Sequence, residues 1–319
     1  MKKLLFVLLT LLSLSSCKDQ KIPKNEGYKY IYSNLTDEKS KKDVKDLMEK
    51  SSLGKNNIER FFKQVDFFNS NIDKTLLASK DYQKSNQIPE YDVDKMQDSL
   101  FNKYPEFAGV NCRITTFGLV SDKIQIKNKE KSNLSAIEID NSSFKNPPVP
   151  TLEGSEIEKF NKFYSAIKTD NTCDSKIHLE KINNFWKENG ISFPKSDKFS
   201  IISVFVFSSL DENDNELFIG HTGILFTLDD NRFLLVEKLA FTSPYQSIVF
   251  ENKKDLYDYL MKMYDFSSEA YPAKPLIFEN DNLLEDWKTP ANAGVFIFLL
   301  SQKFLCLIYQ GICGFLSFS

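Results

Sequence analysis

The chain has 319 residues, 41% of them hydrophobic and 27% charged, which is enough apolar side chain for one large core or two small ones. A formal net charge of -3 leaves no basic footprint, which excludes nucleic acid as the expected partner. The five cysteines form no CxxC pair and there are only two histidines, His178 and His221, so neither a metal nor a cofactor is expected.

The N-terminus reads as a targeting segment. Lys2 and Lys3 precede an apolar run over residues 4–14 that is too short to span a bilayer as a mature helix. Leu14-Ser15-Ser16-Cys17 then resembles a bacterial lipobox, in which small residues suit a signal peptidase and the cysteine thiol accepts the lipid. The expectation is a signal peptide over 1–17 and lipidation at Cys17, which would anchor the protein to the membrane facing outside the cytoplasm. Residues 18–27 are polar, without apolar period, and are expected to be a tether.

A single α+β domain is expected over 28–290. Val44, Leu47 and Met48 lie at helical spacing. Ile58, Phe61, Phe62, Val65 and Phe68 make a fuller stripe, with Asn56 or Asn57 as N-cap. Val93, Met96 and Leu100 mark a third helix. After the break at Tyr104-Pro105, Asn111 can cap a helix carrying Cys112, Ile114, Phe117 and Val120. Residues 121–150 are polar and read as a loop or minor hairpin. Two further helices are predicted from Ile157, Phe160, Tyr164 and Ile167, and from Leu179, Ile182, Phe185 and Trp186, with His178 beside the second stripe as a partly buried helix histidine. Strands over 201–207, 217–225 and 233–241, then Ile248-Val249-Phe250, read as an antiparallel meander. Leu256, Leu260 and Met263 give a last helix, and residues 275–278 an edge strand. From 291 to 319 acidic residues vanish and the chain turns apolar. This tail is read as membrane-contacting, as a buried strand pair, or as a segment not native to the protein.

Two segments carry candidate chemistry. A thiol at a helix N-terminus sits among unpaired N–H groups, and the helix dipole favours its thiolate. Cys112 is placed there, and an imidazole beside it would take the proton and leave a nucleophile. His221, set in Gly220-His221-Thr222-Gly223, is the candidate base. Glu237 on the next strand is the candidate orienting group, provided the hairpin opposes His221 to Leu239; a slip of one residue would bring Lys238 there instead. Arg113, Tyr245 and Gln246 are expected to bind substrate, with Pro244-Tyr245-Gln246 as an exposed contact. A Cys112–Cys173 disulfide is the competing use of the thiol, suited to an oxidising compartment.

The order of cysteine on a helix, histidine on a strand and a polar residue on the next strand resembles the NlpC/P60 and papain-like cysteine peptidases. That resemblance implies a papain-like core, with a helical first half packed on an antiparallel sheet, and cleavage of amide or peptide bonds, for instance in cell-wall peptides. Residues 111–117, 217–225, 237–241, 244–246 and 278–281 also resemble a family of bacterial lipoproteins, domain of unknown function 4300, over about residues 28–285. That likeness implies an extracytoplasmic lipoprotein. A non-catalytic surface lipoprotein binding a ligand or an envelope protein is the alternative.

Overall fold

A computed structural model describes residues 22–78, 81–128, 130–211, 214–268 and 273–284. Cys17, the expected signal peptide and the apolar tail at 291–319 lie outside the described residues. Part of the expected tether is laid against the body: Arg232 donates from Nη1 to the Pro23 carbonyl at 2.6 Å and from Nη2 to that of Ile22 at 3.1 Å.

The fold is α+β. In chain order the elements are β1 (Tyr30–Ser33), α1 (Glu38–Lys50), α2 (Lys55–Asn71), β2 (Gln83–Ser85), α3 (Val93–Phe101), α4 (Cys112–Val120), α5 (Glu138–Ser142), α6 (Ser155–Phe163), β3 (Ile167–Lys168) and α7 (Ser175–Asn189). There follow β4 (Phe199–Asp211), β5 (Asp214–Thr227), β6 (Phe233–Lys238), β7 (Tyr245–Phe250), α8 (Lys253–Tyr264), β8 (Leu276–Glu279) and β9 (Asn282–Leu283). The strands form one sheet in the order β2-β1-β7-β6-β5-β4-β8-β9, with β3 paired to β5 off that path. The meander β4 to β7 is its centre and every described pairing is antiparallel.

Alternation along the strands sorts side chains onto two faces. On one face Ile224, Phe226, Leu234, Val236 and Tyr245 meet Phe61 and Phe68 of α2, Ile114 and Phe117 of α4 and Phe160 of α6 in the larger core. On the other, Leu225, Leu235, Ile248 and Phe250 meet Leu256, Tyr259, Leu260 and Tyr264 of α8 in the smaller one. The longer helices bury their apolar stripes, which accounts for most of their stability, whereas α5 buries only Asp140.

Several boundaries differ from expectation. Helix α2 starts at Lys55 behind Gly54 rather than behind an asparagine cap. Ile167 belongs to strand β3, because α6 ends at Phe163. Strand β1 was not foreseen; it has four residues, too short for alternation to register, and it lies between β2 and β7. Strand β6 ends at Lys238, earlier than its apolar run suggests, because the Lys238 ammonium binds the carbonyls of Ala240, Phe241 and Ser243 and curls the chain away.

Candidate active site

The site forms where β5 loses its neighbour. On one edge β6 pairs with Gly223–Thr227 and β3 with Glu216 and Leu217, so among the described residues 218–222 have no partner strand on that edge. At the same place β5 is bulged: Val204 of β4 opposes His221 and Phe205 opposes Ile219, leaving Gly220 as the extra residue. A bulge turns its strand and re-aims the side chains beyond it. The N-terminus of α4 docks into this notch. Arg113 Nη1 donates to the Ile219 carbonyl at 3.0 Å and Cys112 Sγ lies 4.0 Å from that of Gly220.

Helix α4 begins as its sequence predicts. Asn111 is extended, and its Oδ1 accepts from the Ile114 N–H at 3.0 Å, which puts Cys112 at the first helical position. The Asn111 Nδ2 donates to Asp140 Oδ1 at 2.7 Å. Asp140, on α5 and fully buried, also receives Arg113 Nε at 2.8 Å and Nη2 at 2.6 Å. Nothing in the polar stretch 121–150 singled out Asp140, and only the folded chain brings it beneath Cys112.

His221 faces α8. Strand register opposes Gly223 to Glu237, so Glu237 stands diagonally across from His221 on the same face of the sheet. Glu237 Oε2 meets His221 Nε2 at 2.6 Å. Gly223 makes room for this reach: a Cβ there would lie 2.9 Å from Leu235 Cδ1, 3.0 Å from the Val236 carbonyl oxygen and 3.2 Å from Glu237 Cβ. The other carboxylate oxygen, Oε1, accepts from Gln246 Nε2 at 3.0 Å and from the Tyr259 hydroxyl at 2.7 Å. Gln246 in turn accepts from the Tyr91 hydroxyl at 2.8 Å, and Tyr91 accepts from Asn34 Nδ2 at 2.9 Å. The Tyr264 ring stacks on the imidazole, centroids 4.3 Å apart and planes 13° from parallel. Tyr259 and Tyr264 lie on the buried stripe of α8 that Leu256 and Leu260 announce, so helical spacing was the signal that could have found them.

The structure thus brings Cys112, His221 and Glu237 together. Burial alone would lower the imidazole pKa, but the Cys112 thiolate and Glu237 outweigh it and push His221 up to about 9. Burial would likewise raise the thiol, yet His221 and then Arg113 bring Cys112 below its ordinary value. Each shift favours the charged form of the other group, so thiol and imidazole titrate as a coupled unit rather than as two independent groups. His221 Nδ1 makes no hydrogen bond of ordinary geometry, and the thiol is the group that acts on that ring besides Glu237.

The remaining expected site residues face inward. Arg113 spends its guanidinium on Asp140, Ile219 and the Ala136 carbonyl. Gln246 positions Glu237, and Tyr245 packs edge-on against Phe61 and Phe68. The expected exposed contact at Pro244-Tyr245-Gln246 is a correction: all three are buried, because Tyr245 and Gln246 open a central strand covered on both faces. Cys112 and Cys173 are both free thiols, the first buried and the second exposed. His178 is a structural histidine, bonded at Nδ1 to the Thr169 hydroxyl at 3.0 Å and at Nε2 to the Thr172 carbonyl at 2.8 Å. Among the described residues there is no cluster of metal-ligating side chains and no helix long and apolar enough to cross a membrane.

Neither the curated proteins nor the solved structures contain a match to this chain. One family model does match, over residues 31–284, and that span includes the Cys112–His221–Glu237 cluster and all of the sheet but Tyr30. The chain therefore belongs to the family described as Domain of unknown function (DUF4300).

Proposed function

We propose that this protein is a lipid-anchored, extracytoplasmic thiol hydrolase of papain-like design that cleaves amide or peptide bonds, with cell-wall peptide as the substrate class. The observation that carries the proposal is the buried Glu237 carboxylate 2.6 Å from His221, on an imidazole whose partner is a thiol at a helix N-terminus.

Cys112 is the nucleophile in this scheme. Its sulfur bonds to the substrate carbonyl carbon, and the oxyanion that develops is held by the Cys112 backbone N–H at the first turn of α4. The His221 imidazolium gives its proton to the leaving nitrogen as the C–N bond breaks, leaving a thioester on Cys112. Water then attacks the thioester carbonyl, its proton passes to His221, and the acid departs as the thiolate–imidazolium pair re-forms. Glu237 fixes the ring through Nε2, and Gln246 and Tyr259 fix Glu237.

Alkylation tests the scheme. Iodoacetamide at neutral pH should label Cys112 faster than the exposed Cys173, read by peptide mapping, and His221→Ala should abolish the difference. Labelling of Cys112 no faster than Cys173 removes the nucleophile. The anchor has its own test: a labelled fatty acid should enter the wild-type protein and not Cys17→Ser.

The near-complete burial of Cys112, His221 and Glu237, at 5%, 1% and 0% exposure, favours a second reading. In it the cluster is a structural device of a non-catalytic surface lipoprotein that binds a ligand or envelope protein. That reading expects Cys112→Ala to retain every function of the protein.

A further inference from the structure

The thiol and the imidazole come from opposite sides of the sheet. His221 faces α8 through Glu237, Tyr259 and Tyr264, whereas α4 packs its Ile114 and Phe117 into the other core. Sulfur and ring meet only because the first turn of α4 is driven into the notch of β5. Apolar packing of Ile114 and Phe117 sets the helix against the sheet but does not fix how far its tip advances. A directional tie is needed, and one exists. Asp140 grips the residue before the thiol, through Asn111 Nδ2 at 2.7 Å, and the residue after it, through Arg113 Nε at 2.8 Å and Nη2 at 2.6 Å. The same guanidinium reaches on to the Ile219 carbonyl at 3.0 Å, two residues before His221. A single carboxylate on α5 therefore joins both flanks of the nucleophile to the strand that carries the base.

The cost of this arrangement argues for a purpose beyond stability. A fully desolvated carboxylate–guanidinium pair is often no better for stability than apolar side chains of the same shape, and its recurrent benefit is a specified geometry. Asn111 could cap α4 without any contact to Asp140, since the cap uses Oδ1 and the contact uses Nδ2.

We infer that Asp140 is a positioning residue for the Cys112–His221 pair, acting through Asn111 and Arg113 to hold the α4 tip in the β5 notch. This rests on the thiol–imidazole pairing proposed above, but it concerns the resting pair and not turnover. The charged and titratable groups acting on the thiol are His221, Arg113, Asp140, Lys238, Tyr164 and Tyr264. Among them Asp140 has a distinctive sign: as a bare negative charge it opposes the thiolate, while as a clamp it favours the thiolate by keeping His221 and Arg113 in reach.

That opposition supplies the test. The midpoint of Cys112 thiolate formation is followed in the full chain by ultraviolet absorbance, as the difference from the same chain carrying Cys112→Ser, with thermal melting as the control for folding. Asp140→Asn removes the charge and keeps the shape. Positioning predicts that the midpoint rises by about one pH unit as the pair loosens. A midpoint that falls shows that only the charge mattered, and one that stays put shows a structural role; either result overturns the inference. Asn111→Ser keeps a capping oxygen and drops only the tie to Asp140, so it should raise the midpoint by a smaller amount. If Asp140→Asn does not melt cooperatively, Asn111→Ser decides by the same two outcomes. Failure of the wild-type protein to hydrolyse any peptide leaves this readout intact, and so separates the loss of the hydrolase proposal from the loss of this one.

Discussion

His178 and His221 are buried to the same degree, each 1% exposed, and each ring stacks on an aromatic neighbour, Phe207 in one case and Tyr264 in the other. Their proton affinities nevertheless move in opposite directions. His178 is lowered from its ordinary 6.5 because burial outweighs the Thr172 carbonyl and the Asp170 and Asp174 charges, and its ring is bonded to a hydroxyl and a backbone carbonyl rather than to a carboxylate. His221 is pushed up to about 9, because a carboxylate holds one side and a thiolate acts on the other. Burial is common to both, so it cannot be what prepares a histidine for chemistry. The charge of the partners decides.

The contrast can be broken most severely at Glu237. Glu237→Ala strands His221, Gln246 and Tyr259 in the core without their shared acceptor. It should cost about 3–5 kcal/mol in denaturant unfolding, the usual penalty for removing one partner of a buried charged pair. In any folded fraction the His221 pKa, followed by NMR, should fall toward that of His178. A His221 signal that still titrates near 9 would show that the carboxylate is not the cause.

The next effect separates the two rings by reactivity. Thiolate chemistry at Cys112 needs the thiol ionised and, for turnover, His221 protonated. Activity should therefore rise with pH through the lowered thiol pKa and decline as His221 loses its proton near 9. His221→Ala should slow alkylation at neutral pH by about a hundredfold, since burial then raises the thiol with Arg113 left to oppose it. His178→Gln should leave the whole profile unchanged.

Stability against pH sharpens the same comparison. The folded pKa of His178 lies below its unfolded value of 6.5, so its contribution is present above 6.5 and is lost as pH falls through the folded pKa. Taken alone, His221 does the reverse: its contribution is present below 6.5 and lost as pH rises through about 9. Cys112, lowered from 9.0, contributes above 9.0 and loses that contribution as pH falls. At any pH above 6.5 and above the lowered thiol pKa, but below about 9, the folded pair holds one proton on the imidazole while the unfolded chain holds one on the thiol. The counts match, so the pair should add no slope there. A steep slope in that window, absent from Cys112→Ser, would show that the two groups titrate independently.

Smaller effects test the support. Gly223→Ala places a methyl group against Leu235 and Glu237, and should destabilise by about 1–3 kcal/mol while weakening the His221 shift. Cys173→Ser, at an exposed site, should stay within about 0.5 kcal/mol of wild type and leave Cys112 labelling untouched.

Much of the local structure was legible because it obeys short-range rules. The Asn111 cap, the apolar stripe of α2, the meander and the breaks at glycine and proline all depend on residues a few positions apart. The three groups of the cluster could also be nominated, since a thiol at a capped helix and a histidine between glycines each stand out in the one-dimensional pattern. The inward role of Gln246 and the whole of Asp140 were not legible. Buried polar residues carry no periodic signature, and what they bond lies far along the chain: 27 residues separate Asp140 from Arg113, and 155 separate Gln246 from Tyr91.

What the amino-acid order determined by itself was therefore a list of parts: an N-capped helix with its thiol at the tip, a strand histidine, and a following strand with one glutamate. What only tertiary structure decided was their meeting. The register that sets Glu237 rather than Lys238 beside His221, the gap between β6 and β3 that admits α4, and the Asp140 tie are each settled by packing among distant segments. The physical reason is that side-chain direction in a strand reverses with every residue. A pattern can name the candidates, but only the paired neighbour fixes which of them share a face.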